Sequence, residues 1–158
     1  KGEASVDLAK SSHENKRIKS GETPMLVKFA PILEELQDRR DGSKIVAVVT
    51  MTGSCCPVTE AHCMAFDCAR DMLLAADGRK PVAAETFGEV LGLLSLNSDR
   101  HVGEKLRAKG LPSISYPDRA ELVTLASSER RWMDFNPLRE EAAVHALQEQ
   151  WPNLRFIR

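Results

Sequence analysis

The sequence has no apolar run close to the roughly 18 residues that a membrane-spanning helix requires. It also has no excess of one charge, because 22 Lys and Arg residues are matched by 23 Asp and Glu residues. That balance argues against attachment to nucleic acid or to a membrane surface by bulk charge. No secretory signal is visible. We therefore expect an intracellular protein with no membrane span and no nucleic-acid partner, in the cytoplasm, the nucleus or an organelle.

Cysteine is scarce, and all four cysteines, Cys55, Cys56, Cys63 and Cys68, lie in one short stretch. Disulfide frameworks of secreted proteins usually spread their cysteines along the chain, so this clustering favours a reducing compartment. Zinc sites pair Cys-x-x-Cys units at fixed spacing, which these four residues do not do. We expect small buried thiols that pack the local structure and no metal ligands.

The length of 158 residues suits one domain. Residues 1–23 are polar and without periodicity, which predicts an extension or linker. Residues 24–43 carry apolar side chains at helical spacing, from Met25 and Phe29 to Leu36, and predict an amphipathic helix. Residues 44–158 form the predicted domain. Arg130 and Arg131 are interpreted as a solvated pair between its elements.

Within that domain, apolar runs predict strands at residues 45–51, 90–94, 132–135 and 154–157. Helical patterns lie between them: one from Thr59, one through residues 104–107, one capped by Asp118 and one with Pro137 near its start. This alternation predicts an α/β fold with a parallel sheet and helices on both faces.

The first strand leads at once into Gly53-Ser54-Cys55-Cys56-Pro57-Val58-Thr59-Glu60-Ala61-His62. Ligands of open α/β sheets collect at the carboxyl ends of the strands, where a helix N-terminus favours phosphate. Gly53 is expected to let the backbone approach a ligand. Thr59 and His62 are three residues apart and share one helical face. His62 is either a hydrogen-bond donor to a phosphate oxygen or an ordinary histidine at a helix start.

This turn resembles that of the nicotinamide/nicotinate mononucleotide adenylyltransferase family, which has Gly-Ser-Phe-Asn-Pro-x-Thr/His-x-x-His at this place. Further matches are weaker one by one: Ser95-Leu96-Asn97-Ser98-Asp99, Lys105-Leu106, Arg119 with its helix, and Trp132. The turn alone marks the wider cytidylyltransferase-like nucleotidyltransferase superfamily. The resemblance covers about residues 44–158 and implies a Rossmann-like nucleotidyltransferase fold.

The resemblance implies transfer of AMP from ATP to a mononucleotide with release of pyrophosphate, assisted by Mg²⁺, as in NAD biosynthesis. His62 and Thr59 would be the catalytic residues. The implied nucleotide-binding residues are Gly53, Ser54, Cys55, Asp99 and Lys105. Cys55 and Cys56 replace the family's Phe-Asn, which is expected to leave space beside the nucleotide. Leu138 appears where the family has the Trp that stacks on nicotinamide.

The family's domain continues with a Gly-x-Asp segment and a late Ser/Thr-rich motif that ends in Arg, and neither is in this sequence. The expected fold is thus incomplete at its C-terminal end. Two interpretations stay open. The sequence is part of a longer enzyme that forms homo-oligomers, or it is a catalytically degenerate relative that serves as a structural subunit of a larger, possibly organellar, assembly.

Overall fold

The computed structural model describes residues 23–40, 42–75 and 85–158. The predicted extension over residues 1–23 therefore lies outside the described residues, apart from Thr23. Helices and strands follow one another as α1 (Pro24–Asp38), β1 (Ile45–Gly53), α2 (Glu60–Leu74), β2 (Glu89–Leu96), α3 (Asp99–Arg107), α4 (Tyr116–Ala126), β3 (Met133–Phe135), α5 (Glu140–Gln150) and β4 (Arg155–Ile157).

The four strands form one parallel sheet in the order β3-β2-β1-β4. The predicted α/β class with a parallel sheet is confirmed, and the fold is Rossmann-like. The chain builds outward from β1 to β2 and β3, then crosses back to place β4 on the other side of β1. Parallel sheets with this change of direction bind ligands outside the carboxyl ends of the strands at that point. We therefore expect a ligand-binding site in the crevice at the carboxyl ends of β1 and β4.

Apolar side chains cover both faces of the sheet, as continuous β-branched runs in parallel strands predict. On one face, α1 and α5 pack over Val46, Val48, Leu91 and Leu93. On the other face, α2 and α4 bring Phe66 and Val123 together with Leu94 and Met133. Gly92 lies under Phe66, where an added Cβ would come within 2.9 Å of the ring. Helix α2 therefore packs closely on β2.

A polar cluster joins α1 to strand β3 and to the end of α4. The Lys28 ammonium donates to the Ser127 carbonyl at 2.8 Å and lies 3.6 Å from the Asp134 carboxylate. Burial lowers the pKa of Lys28 and raises that of Asp134, and in each case attraction by the partner acts in the opposite direction. Desolvation is the larger effect for both groups, so this pair specifies where α1 packs more than it stabilises the fold.

Pro137 lies near the start of α5, as expected, since the helix begins three residues later at Glu140. Two local expectations were wrong. Ser115, not Asp118, caps α4: its hydroxyl accepts from the Asp118 N–H, and Asp118 lies in the first turn. Arg130 is not a solvated side chain, since its guanidinium binds Asp67 at 2.8 Å and Glu60 at 2.7 Å. Within the described part of the chain, no helix combines the length and apolar character needed to cross a membrane.

Candidate phosphate-binding turn

The segment that joins β1 to α2 lies at the carboxyl edge of the sheet. Strand β1 ends at Gly53, and α2 begins at Glu60 with Thr59 as its N-cap. Cys55 has φ of +42°, in the left-handed region, and the bond between Cys56 and Pro57 is cis. A left-handed residue in such a turn reverses the chain and exposes successive amide groups on its concave side.

Thr59 and His62 form a reciprocal cap, as their spacing predicts. The Thr59 N–H donates to His62 Nδ1 at 3.1 Å, and the Thr59 hydroxyl lies 2.8 Å from the same nitrogen. Because Nδ1 accepts from a backbone amide, the neutral ring carries its proton on Nε2. His62 is therefore oriented, with Nε2–H available as a hydrogen-bond donor.

Gly53 serves the turn itself. A Cβ at this position would lie 3.2 Å from Cys55 Sγ, so the close neighbour of the glycine is a protein side chain. Cys55 is 2% exposed, and burial raises the pKa of its thiol. The expected space beside a nucleotide is thus not made by this side chain, which packs inward. Cys55 is thus buried as a whole residue, and the predicted contact between Cys55 and a nucleotide is not supported.

Ser54 and Asp99 are brought together by a residue that the sequence did not single out for the site. Arg119 donates to the Ser54 carbonyl at 2.8 Å and to the Asp99 carboxylate at 2.7 Å. That hydrogen bond lowers the pKa of Asp99, whose side chain is 56% exposed. Asp99 is thus engaged with Arg119 while still reaching the surface.

Lys105 is the predicted residue that the structure leaves apart. It lies in the last turns of α3 with an exposed side chain. It makes no hydrogen bond or ion pair with any other residue that the structure describes.

An open crevice of about 370 Å³ lies at the carboxyl ends of β1, β2 and β4, beside the start of α5. Its lining is mostly polar: Thr52, Ser95, Leu96, Leu138, Arg139, Glu140, Glu141 and Arg158. The Thr52 hydroxyl donates to Glu140 at 3.1 Å, and Arg158 donates to the other oxygen of that carboxylate at 2.9 Å. Thr52 is the residue just before the turn, whereas His62 is not part of this lining.

The cysteines behave as predicted only in part. Cys55 and Cys63 are buried, Cys56 is half-buried and accepts from the Ile114 N–H at 3.2 Å, and Cys68 is exposed. Among the residues described, no group of three His, Cys, Asp or Glu side chains is arranged to hold a metal ion.

Sequence reasoning missed the role of Arg119, although a signal was present. The Ser115-x-x-Asp118 pattern is a capping signature, and it places Arg119 in the first turn of α4, pointing to the same side as Val123. A charged residue four positions before a core valine indicates a buried ion pair. The acidic side chain of Glu140 in the crevice had no such signal, because its position depends on how β4 and α5 return to the sheet.

No protein-family model, no curated protein and no solved structure matches this chain. Functional assignment therefore depends on the residues and their geometry.

Proposed function

We propose that this chain is a nucleotidyltransferase of the mononucleotide adenylyltransferase type, and that the turn from Gly53 to His62 binds the phosphates of ATP. The observation that carries the proposal is the oriented imidazole of His62. It combines an Nε2–H donor with the free amides of a helix N-terminus at the carboxyl edge of a parallel sheet.

The fixed tautomer of His62 suits a reaction in which negative charge builds on phosphate oxygens. A donor that is already oriented stabilises that charge without reorganising as the reaction proceeds. Thr59 has a positioning role, because its amide and hydroxyl hold His62 Nδ1. The turn adds the amide of half-buried Ser54, for which no acceptor is found among the described residues.

In the proposed reaction, a phosphate oxygen of the mononucleotide attacks the α-phosphorus of ATP. A new P–O bond forms, the bond from the α-phosphorus to the β-phosphate bridging oxygen breaks, and pyrophosphate leaves. Such transfer depends mainly on positioning and charge stabilisation. Mg²⁺ would enter with the ATP phosphates, which fits a chain whose described residues offer no protein cage for it. Because the mononucleotide phosphate attacks directly, no covalent enzyme intermediate is required.

The crevice beside the turn is the proposed place for the mononucleotide. Thr52, Ser95 and Glu140 offer hydroxyl and carboxylate groups to a ribose, and Leu138 offers apolar contact to a base. A leucine gives no aromatic stacking, so we propose no preference between nicotinamide and nicotinate.

One observation favours the alternative, a non-catalytic structural subunit. Glu140 lies between Thr52 and Arg158, and its carboxylate pairs with the Arg158 guanidinium. That guanidinium is the group that would otherwise bind a phosphate in the crevice. A subunit of this kind binds other chains and does not turn over ATP.

The first experiment measures pyrophosphate release by the full-length protein with ATP, Mg²⁺ and either nicotinamide or nicotinate mononucleotide. Turnover is expected with both mononucleotides, and His62→Ala is expected to lower kcat by about 100-fold or more, as for loss of one preorganised donor. The matched control is His145→Ala, an exposed histidine on α5 whose ring lies 3.8 Å from the Glu149 carboxylate.

Three results are decisive in this comparison. Loss in the His62→Ala protein alone supports the proposal. Equal rates in both variants contradict the role of the turn. An inactive protein that neither binds ATP nor responds to His62→Ala, but remains in a stable complex with other chains, supports the subunit.

A further inference from the structure

Arg119 is the largest side chain that is completely buried in the described part of the protein. A buried guanidinium is costly unless each of its N–H groups finds an acceptor. Four of the five do: Nε donates to the Ile114 carbonyl at 3.1 Å, Nη1 to Ser54, and Nη2 to Asn97 at 3.0 Å and to Asp99. Its position is therefore fixed by several directed bonds.

These acceptors belong to three separate segments at the carboxyl edge of the sheet. Ser54 follows β1, Asn97 and Asp99 follow β2, and Ile114 lies in the loop before α4. Three of the four acceptors are backbone carbonyls, and the one carboxylate is more than half exposed. Arg119 thus orients backbone in three loops, which an apolar side chain of similar volume cannot do.

The bond to Ser54 has a consequence for the turn. The carbonyl of Gly53 accepts from the Asn97 N–H at 2.9 Å, and the carbonyl of Ser54 accepts from Arg119. In a trans peptide the N–H points opposite to the C=O. The amides of Ser54 and Cys55 are therefore directed away from the protein groups that hold the two carbonyls.

We propose that Arg119 is a positioning residue for phosphate binding, which holds the Ser54 and Asn97 carbonyls and so fixes the turn with the amide of half-buried Ser54 facing the phosphates of a nucleoside triphosphate. The inference rests on the proposed function of the turn. Arg119 itself touches no substrate, because its side chain is fully enclosed.

The test compares Arg119→Lys with the control Arg70→Lys in the full-length protein. Lysine keeps the charge but cannot serve four acceptors in separate directions. Arg70 is a suitable control because it pairs with Glu89 at the opposite edge of the sheet and makes no contact with the turn. Binding of Mg²⁺-ATP is measured by calorimetry, and the amide signals of Ser54 and Cys55 are followed by NMR.

We expect Arg119→Lys to weaken ATP binding about tenfold, since a misdirected amide loses one charge-assisted hydrogen bond. The Ser54 and Cys55 amide signals should shift in the ligand-free protein, while Arg70→Lys changes affinity less than about twofold. Equal loss of affinity in the two variants, or unchanged turn amides in Arg119→Lys, overturns the inference.

Asp99→Asn covers the case in which Arg119→Lys does not fold. Asp99 is mostly exposed, so its change leaves the core intact while removing the charged partner of Arg119. We expect displaced Ser54 and Cys55 amides and weaker binding than in wild type, and unchanged amides overturn the inference. If the wild-type protein binds no ATP, the proposed function itself is contradicted. If wild type binds ATP but the turn amides do not move in the variants, only the role of Arg119 is contradicted.

Discussion

Asp134 shows how burial sets the behaviour of a single residue. Its side chain is 7% exposed, and desolvation raises its pKa above the ordinary value of 3.8 despite the attraction of Lys28. Because the folded pKa lies above the unfolded one, Asp134 stabilises the fold most below pH 3.8, and this contribution is lost as pH rises through the folded pKa.

The variant Asp134→Asn tests this sign. As pH falls from 7 towards 4, wild type should gain stability relative to Asp134→Asn, because only wild type takes up a proton at this position on folding. The measurement is the difference in free energy of unfolding in urea at each pH. A difference that stays constant over this range would show that Asp134 titrates normally.

Single residues were predictable from sequence where local spacing decides their contacts. Thr59 and His62 are three apart across a helix start, so their contact follows from helix geometry. The sequence predicted a buried thiol at Cys55 but not its left-handed backbone, which a non-glycine residue adopts only with tertiary support. The four acceptors of Arg119 come from three segments, which no local pattern relates.

Helix α2 and strand β2 meet at a place where one methyl group decides the fit. Gly92→Ala would place a Cβ 2.9 Å from the Phe66 ring and 3.2 Å from both Met133 and Trp132. We expect a loss of about 1–3 kcal/mol in the free energy of unfolding from overpacking. The loss should be smaller in a Phe66→Leu background, where the ring is absent.

Gly103→Ala is the matched control for this prediction. Gly103 lies within α3, and a Cβ there meets nothing within 4 Å. Alanine within a helix is more favourable than glycine by up to about 1 kcal/mol, so we expect this variant to be more stable than wild type. If both glycine variants changed the unfolding free energy in the same direction, close packing of α2 on β2 would not be the cause.

The elements themselves were largely predictable, because each strand is a β-branched or apolar run and each helix has its own periodicity. Errors fell at their ends. Strand β1 continues to Gly53 because the whole of β2 pairs with it, up to Leu96 opposite Gly53. The start of α4 moved because Ser115 and Asp118 compete for the capping role, and the serine lies one residue before the helix.

At the scale of the whole molecule, binding and stability are linked. A ligand that binds only the folded state at 100 times its Kd adds about 2.7 kcal/mol to the free energy of unfolding. For a domain of this size, we expect Mg²⁺-ATP at that concentration to raise Tm by about 5–10 °C. Differential scanning fluorimetry measures the shift, and His62→Ala should reduce it at the same ATP concentration. No shift at any ATP concentration would contradict nucleotide binding by this fold.

Parallel pairing was predictable from the alternation of strands and helices, but the order of strands was not. The apolar patterns of β2, β3 and β4 indicate that each strand has two faces to bury. They do not show which strand pairs with which. The crevice beside β1 depends on that order, and so the side chains of Glu140 and Arg158 reach it only through the tertiary fold.

Strand order also determines when each strand can pair during synthesis. β1 is translated before its two partners, and β4, its partner on one side, follows only after β2, β3 and four intervening helices. Pairings so distant in sequence form slowly, since a long loop must close before they stabilise anything. In the growing chain the His62 turn therefore precedes the crevice lined by Glu140 and Arg158, which forms only once α5 and β4 have been translated.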